Sequence, residues 1–236
     1  MRFRVVGRGR AGGALAIALG RAGWEEVPAL GRGDDVTAAA EGVDLLVLAV
    51  PDPVVAEVAA AVELVPSTLV AHLAGSLTLD VLAPHLRRAS IHPLVALPTG
   101  ELGAERLAGG AWFAVAGDPM AEQVVAALGG TAIEVADEQR VTYHAAAVIA
   151  SNHLVALLGQ VERVAAEAGV PLDAYLDLVR ATVENVDALG PQAALTGPIA
   201  RGDEATVARH VAALPDDERE AYEALAQAAR TLRDQR

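Results

Sequence analysis

The apolar positions in the first half of the chain fall into short runs separated by helical stretches. Arg2–Val6 and Glu25–Leu30 read as strands with a helix, Ala11–Ala22, between them. Asp44–Val50 (DLLVLAV) is apolar almost without a break, the pattern of a strand covered on both faces. A helix over Val54–Val62 follows, then strands at Thr68–Leu73, Arg88–His92, Ala111–Ala116 and Thr131–Val135, with Pro119–Leu128 as a helix between the last two. From Asp137 the strand pattern stops. Gln139–Ala168 reads as one long helix closed by Gly169-Val-Pro171, and Leu172–Ala188 as a second closed by Gly190-Pro191. Asp203 and Asp216 are placed to cap two more, Glu204–Leu214 and Asp217–Arg233. The expected fold is α/β: a Rossmann-type doubly wound parallel sheet over residues 1–136, followed by an all-α domain over residues 137–236.

The first strand runs into Gly7-Arg-Gly9-Arg-Ala-Gly12, a G-x-G-x-x-G turn that opens a helix. Gly7 permits the tight turn, Gly9 lets backbone approach a pyrophosphate, and Gly12 lets helix and strand pack closely. The free N–H groups of the helix start would receive the phosphates, which puts Arg8, Arg10 and Ala11 in the same contact zone. An NAD site places an acidic residue near the end of the second strand, about 20 residues on. Here Arg32 stands in that place, a cation suited to the 2′-phosphate of NADP, with Asp34 and Asp35 as the competing ribose ligands. Val50-Pro51-Asp52 ends the next strand and should line the same crevice, Asp52 doubling as a helix cap.

Composition narrows the chemistry. There is no cysteine and no lysine, so thiolate, Schiff-base and P-loop lysine mechanisms are all absent. A formal net charge of -13 argues against nucleic-acid or anionic-membrane partners. The longest apolar stretch, Ala145–Leu158, carries Ser151, Asn152 and His153 and reads as too short and too polar for a bilayer. The expectation is a soluble cytoplasmic protein acting on a small molecule.

Without lysine or cysteine, a proton donor must be His, Tyr or a carboxylic acid. Of the 6 histidines, His72 and His92 fall at carboxyl ends of strands, while His144 lies early in the long helix. In an uninterrupted helix His144, Val148, Ser151 and Asn152 share one face. No His pair has metal-ligand spacing, and no metal site is expected. A second polar cluster, Leu195-Thr-Gly-Pro-Ile-Ala-Arg-Gly-Asp203, offers Thr196 and Arg201. Arg201 is suited to clamping a carboxylate and equally to an internal salt bridge.

These motifs converge. His72-Leu-Ala-Gly75-Ser76, Ser90-Ile-His-Pro-Leu94, Tyr143-His-Ala-Ala, Ser151-Asn152 and Ala194-Leu-Thr-Gly-Pro-Ile-Ala-Arg-Gly-Asp203 resemble the Rossmann oxidoreductases that carry a C-terminal domain of unknown function numbered 2520. That group is similar to pyrroline-5-carboxylate reductases, ketopantoate reductases and the 6-phosphogluconate dehydrogenase group. The resemblance implies a helical domain that dimerises and an NADPH-dependent reduction of a small carbonyl compound, a 2-oxo acid such as ketopantoate first. A cyclic-imine reductase and a non-catalytic NADP-binding sensor are the alternatives. His144 and His92 are then the candidate donors, with Asn152 orienting the substrate and Ser76, Ser151, Thr196 and Arg201 binding it. Gly75 and His72 would line the cofactor side. The chain departs from the lysine–asparagine pair of the ketopantoate reductases, since Val148 stands four residues before Asn152.

Overall fold

The structure is a computed structural model that describes residues 1–235. Its contacts divide the chain into two compact units, Met1–Ser151 and Asn152–Arg236. The strands do stop near Ala136, but the first unit runs on through Ser151, because the next helix buries Arg140 against the sheet.

Seven strands form one sheet in the order β2-β1-β3-β4-β5-β6-β7. They are β1 Arg2–Val6, β2 Glu25–Glu26, β3 Leu45–Leu48, β4 Leu69–His72, β5 Arg88–Pro93, β6 Trp112–Gly117 and β7 Thr131–Glu134. The winding reverses between β1 and β3, the switch point at which open α/β sheets bind ligands. β2 is shorter than its apolar pattern implies, since Pro28 has no N–H to give the ladder. Val27 and Leu30 nevertheless donate to Phe3 and Val5, so the segment still tracks β1 up to Leu30.

The sheet departs from the wholly parallel one that the sequence predicts: β6 runs antiparallel to β5. The connection between them holds a helix, α3 (Gly100–Ala108), that its glycines disguise as loop. α3 lies against α1 (Arg10–Arg21), and a Cβ on Gly103 would stand 2.7 Å from that of Ala14, so glycine is what allows the close approach. α2 (Val55–Ala61) and α4 (Met120–Ala127) complete the cover. One buried cluster, including Phe3, Leu15, Leu19 and Phe113, fills the side toward α1, α3 and α4, and a second, around Leu46, Leu48, Val55 and Leu82, fills the other. Asp52 does not cap a helix: it sits inside a short 3-10 turn, Asp52–Val54, with no side-chain capping bond.

The long helix expected over 139–168 is present but interrupted. α5 (Arg140–Val148) passes into a π-turn at Ile149–His153 and continues as α6 (Leu154–Glu167). The π-turn changes the angular step, so a face reckoned at 100° per residue does not carry from His144 to Asn152. As a whole the run Asp137–Glu167 is long and apolar enough, by length and composition, to cross a membrane, which the shorter stretch 145–158 concealed. Its most apolar window has none of its residues buried.

The second unit continues with α7 (Asp173–Leu189), short α8 (Pro191–Ala194) and α9 (Gly197–Ala200), α10 (Glu204–Ala213) and α11 (Asp216–Asp234). Asp203 caps α10 by accepting from the Thr206 N–H at 3.0 Å. Asp216 is not a cap. It lies within α11 and pairs with Arg219. Glu218 of α11 is buried against Arg163 of α6, which grips it with Nε and Nη2, and Gln160 donates to the Glu218 carbonyl. Within this unit α6, α7, α10 and α11 surround an apolar cavity of about 720 Å³ edged by Tyr175, His210 and Tyr222.

Candidate active site

The site begins at the carboxyl edge of the sheet. Val6, Leu48, His72 and Ser90 pair across β1, β3, β4 and β5, so the residues just beyond them form one rim. Along it lie the glycine turn after β1, Val50-Pro51-Asp52 after β3, Leu73–Ser76 after β4 and His92 on β5. Three interstrand steps separate β1 from β5, about 14 Å.

At the β1 end the glycines have the shape the motif requires. Gly7 has φ 107°, and a Cβ there would collide with the Ala49 carbonyl oxygen. A Cβ on Gly12 would strike the Gly7 oxygen. Gly9 differs: nothing stands within 4 Å of where its Cβ would be, which leaves the backbone open to an approaching group. Gly9 is also the N-cap of α1 and offers no side chain to its first N–H groups. Arg8 donates to the Ala29 carbonyl at 3.1 Å, bringing its guanidinium to the end of the second strand, and Arg10 and Arg32 are exposed. Both rival acids are engaged by their own loop. Asp34 accepts from the Gly31 N–H at 2.7 Å, and Asp35 accepts from Thr37 N and Oγ1, bonds that lower its pKa. The open glycine turn and the arginines suit a pyrophosphate and a 2′-phosphate at this end.

At the β5 end three rings meet. His92 Nδ1 lies 2.7 Å from Tyr143 Oη, and the two rings are nearly perpendicular. His144 stands edge-on to His92, with centroids 5.7 Å apart. Gly75 makes the meeting possible: a Cβ there would overlap His144 and come within 2.9 Å of His92 Nε2. Beneath them lies Arg140, fully buried, which donates to Ser90 Oγ at 2.5 Å and to the Ala74 carbonyl at 3.2 Å. Its Nε and Nη1 find no partner, nor does Asp137 Oδ1. Asp137 Oδ2 accepts from the Leu79 N–H.

The charges sort themselves by burial. His92 falls to about 4, through desolvation first, then the charges of His144, Arg140 and His72. His72 also falls to about 4, again through burial first and Arg140 second. Tyr143 is pushed up by burial, with Arg140 opposing. Near neutral pH His92 is therefore an uncharged imidazole.

One further sequence expectation changes: His72 does not face the crevice as a cofactor contact but is fully buried beneath the rim. Ser151 donates its hydroxyl to the Ala147 carbonyl, 2.7 Å away. The first unit thus gathers Gly75, Ser76, His92 and His144 on one rim, whereas Asn152, Thr196 and Arg201 belong to the second unit. Arg201 is exposed, and its charge joins stronger bonds from Thr206 in lowering the pKa of Asp203. Sequence reasoning missed Arg140 and Asp137 altogether.

Residues 113–229 match the family described as Domain of unknown function (DUF2520). That similarity covers just under half of the chain. That DUF2520 match starts inside β6 and ends in α11, so it spans the change from sheet to helices. No curated protein matches the sequence significantly. Solved structures do share its fold. BF3122 from Bacteroides fragilis, a candidate NADP oxidoreductase, aligns at 21% identity over 98% of each chain with a TM-score of 0.78. A pyrroline carboxylate reductase from Plasmodium falciparum with NADP bound aligns at 14% identity over 98% of each chain, TM-score 0.63. A reductive aminase from Aspergillus terreus in complex with NADPH and ethyl levulinate aligns at 15% identity over 97% of this chain and 93% of that one, TM-score 0.71. The chain thus shares its fold with these solved structures.

Proposed function

We propose that this chain is an NADPH-dependent reductase of a small carbonyl compound, with a 2-oxo acid such as ketopantoate as the first substrate to try. The observation that carries the reading is the shared rim. A glycine turn open at Gly9 and flanked by arginines lies on the same sheet edge as the His92–Tyr143–His144 group. Gly7, Gly9 and the start of α1 would hold the pyrophosphate of NADPH, and Arg32 with Arg8 its 2′-phosphate. When bound, the nicotinamide supplies the hydride. The protein's own part is to orient the substrate and deliver a proton. A sensor module needs the first end of this rim but not the second.

A cyclic imine is the second reading, favoured by the fold shared with a pyrroline carboxylate reductase and a reductive aminase. The chain should work in the cytoplasm as a homodimer.

The test is an NADPH-consumption screen against 2-oxo acids and cyclic imines, run beside cofactor binding by fluorescence. NADPH should bind more tightly than NADH. Arg32→Ala should weaken NADPH roughly 5- to 30-fold and leave NADH nearly unchanged, the scale of one charge-assisted contact. Equal losses for both cofactors would remove the 2′-phosphate assignment.

A further inference from the structure

We infer that Tyr143 Oη is the proton donor of the reductase proposed above, with His92 as the residue that positions it and returns its proton. Three observations meet at this atom. Tyr143 Oη has His92 Nδ1 as its side-chain partner, at 2.7 Å, in a perpendicular ring arrangement that fixes the phenol's direction. His92 is held on β5, two residues past the Ser90–His72 pair, so this bond lies at the rim. Gly75 leaves just enough room for the His92 and His144 rings to stand there together.

The surroundings decide which partner keeps the proton. His92 is faced by His144 and Arg140 from α5 and by His72 from β4, and none of these favours a positive ring. Among the described residues the nearby carboxylate, Asp137 on the turn before α5, bears on Arg140 and on His72 instead. Burial raises Tyr143 above the ordinary phenol value of about 10. Phenol and imidazole are therefore both neutral, and in the tautomer that protonates Nδ1 His92 donates to Tyr143 Oη and leaves the phenol's own proton for substrate.

The step balances simply. As a hydride from reduced nicotinamide dinucleotide reaches the carbon of C=O or C=N, the π pair moves to the heteroatom and takes the proton from Tyr143 Oη. The Tyr143 O–H bond breaks, and the phenolate recovers a proton from His92 Nδ1–H while Nε2 takes one from water. The net change is addition of one hydride and one proton across the double bond.

The chain has only 3 tyrosines, so phenolate absorbance titrates them directly in the ligand-free full-length protein. One tyrosine should titrate later than the rest, and Tyr143→Phe should remove that late component. The same substitution should lower kcat about 10²–10⁴-fold, the range for a lost general acid, with NADPH affinity unchanged. His92→Gln should cost less and should advance the late titration. Near-normal turnover by Tyr143→Phe, or a titration curve that it leaves unaltered, overturns the inference. Wild-type turnover in the same assay reports on the reductase reading itself: its absence for every carbonyl and imine removes the donor role as well. Wild-type turnover that survives in Tyr143→Phe removes the donor role alone.

Discussion

At Gly75 one hydrogen atom stands where any other residue would place carbon. A Cβ there would enter the His144 ring and crowd His92 Nε2, and both neighbours are anchored on regular elements. Gly75→Ala should therefore move the rings rather than unfold the protein. Its backbone conformation does not demand glycine, so the expected stability loss is within about 1–3 kcal/mol, the usual cost of overpacking. Turnover should fall far more than the melting temperature, and a full-rate Gly75→Ala enzyme would contradict the close packing described. At this scale the sequence was partly legible. The glycine turn, His92 and Gly75 stand out because motif and strand position mark them. Arg140 and Asp137 do not, because a charged residue near a helix start ordinarily reads as solvated, and only the fold reveals that this arginine is fully buried.

At the scale of elements, α5 is the device that brings Tyr143, His144 and Arg140 to the ends of β4 and β5. The cover it provides has a measurable signature in pH. His72 and His92 drop from 6.5 to about 4 in the folded chain, so between those values the unfolded state binds more protons than the folded one. Stability from their neutral forms is complete above pH 6.5 and is lost as pH falls toward 4. Each shift corresponds to about 3 kcal/mol when fully expressed, and the two are coupled, so their sum is smaller. Urea unfolding at pH 7 and near pH 4.5 should show this decline, and His92→Gln should flatten it. A stability that stays constant across the interval would contradict a buried, neutral pair. The elements themselves were mostly readable from periodicity, within a residue or two at the ends. α3 was not, since glycines that permit its contact with α1 also mimic a loop. The π-turn was equally hidden, because no residue type announces it.

At the scale of the whole molecule, the second unit has more apolar helix than it can cover. None of the 17 residues of α7 is buried, and Leu178, Val183 and Leu189 are each more than half exposed. From Val141 to Val161 the chain carries no Asp, Glu, Lys or Arg, and the faces of α5 and α6 are similarly bare. Such surface favours association. A homodimer should therefore form, with light scattering giving twice the 24.2 kDa chain mass at micromolar concentration. Leu178→Asp should weaken it, and the wild-type melting temperature should rise with protein concentration. A monomer at micromolar concentration, with a concentration-independent transition, would refute this.

The sheet has the opposite character at its margins. β2 contributes only two residues before Pro28 withholds its N–H, and β7 contributes four, ending on Glu134. Neither border is long enough to template a strand from another molecule, and one ends in a charge that such pairing would have to bury. A concentrated solution of this chain should accordingly resist fibril growth: whatever stickiness it has resides on helices, which can saturate in a closed particle, and not on open backbone, which cannot.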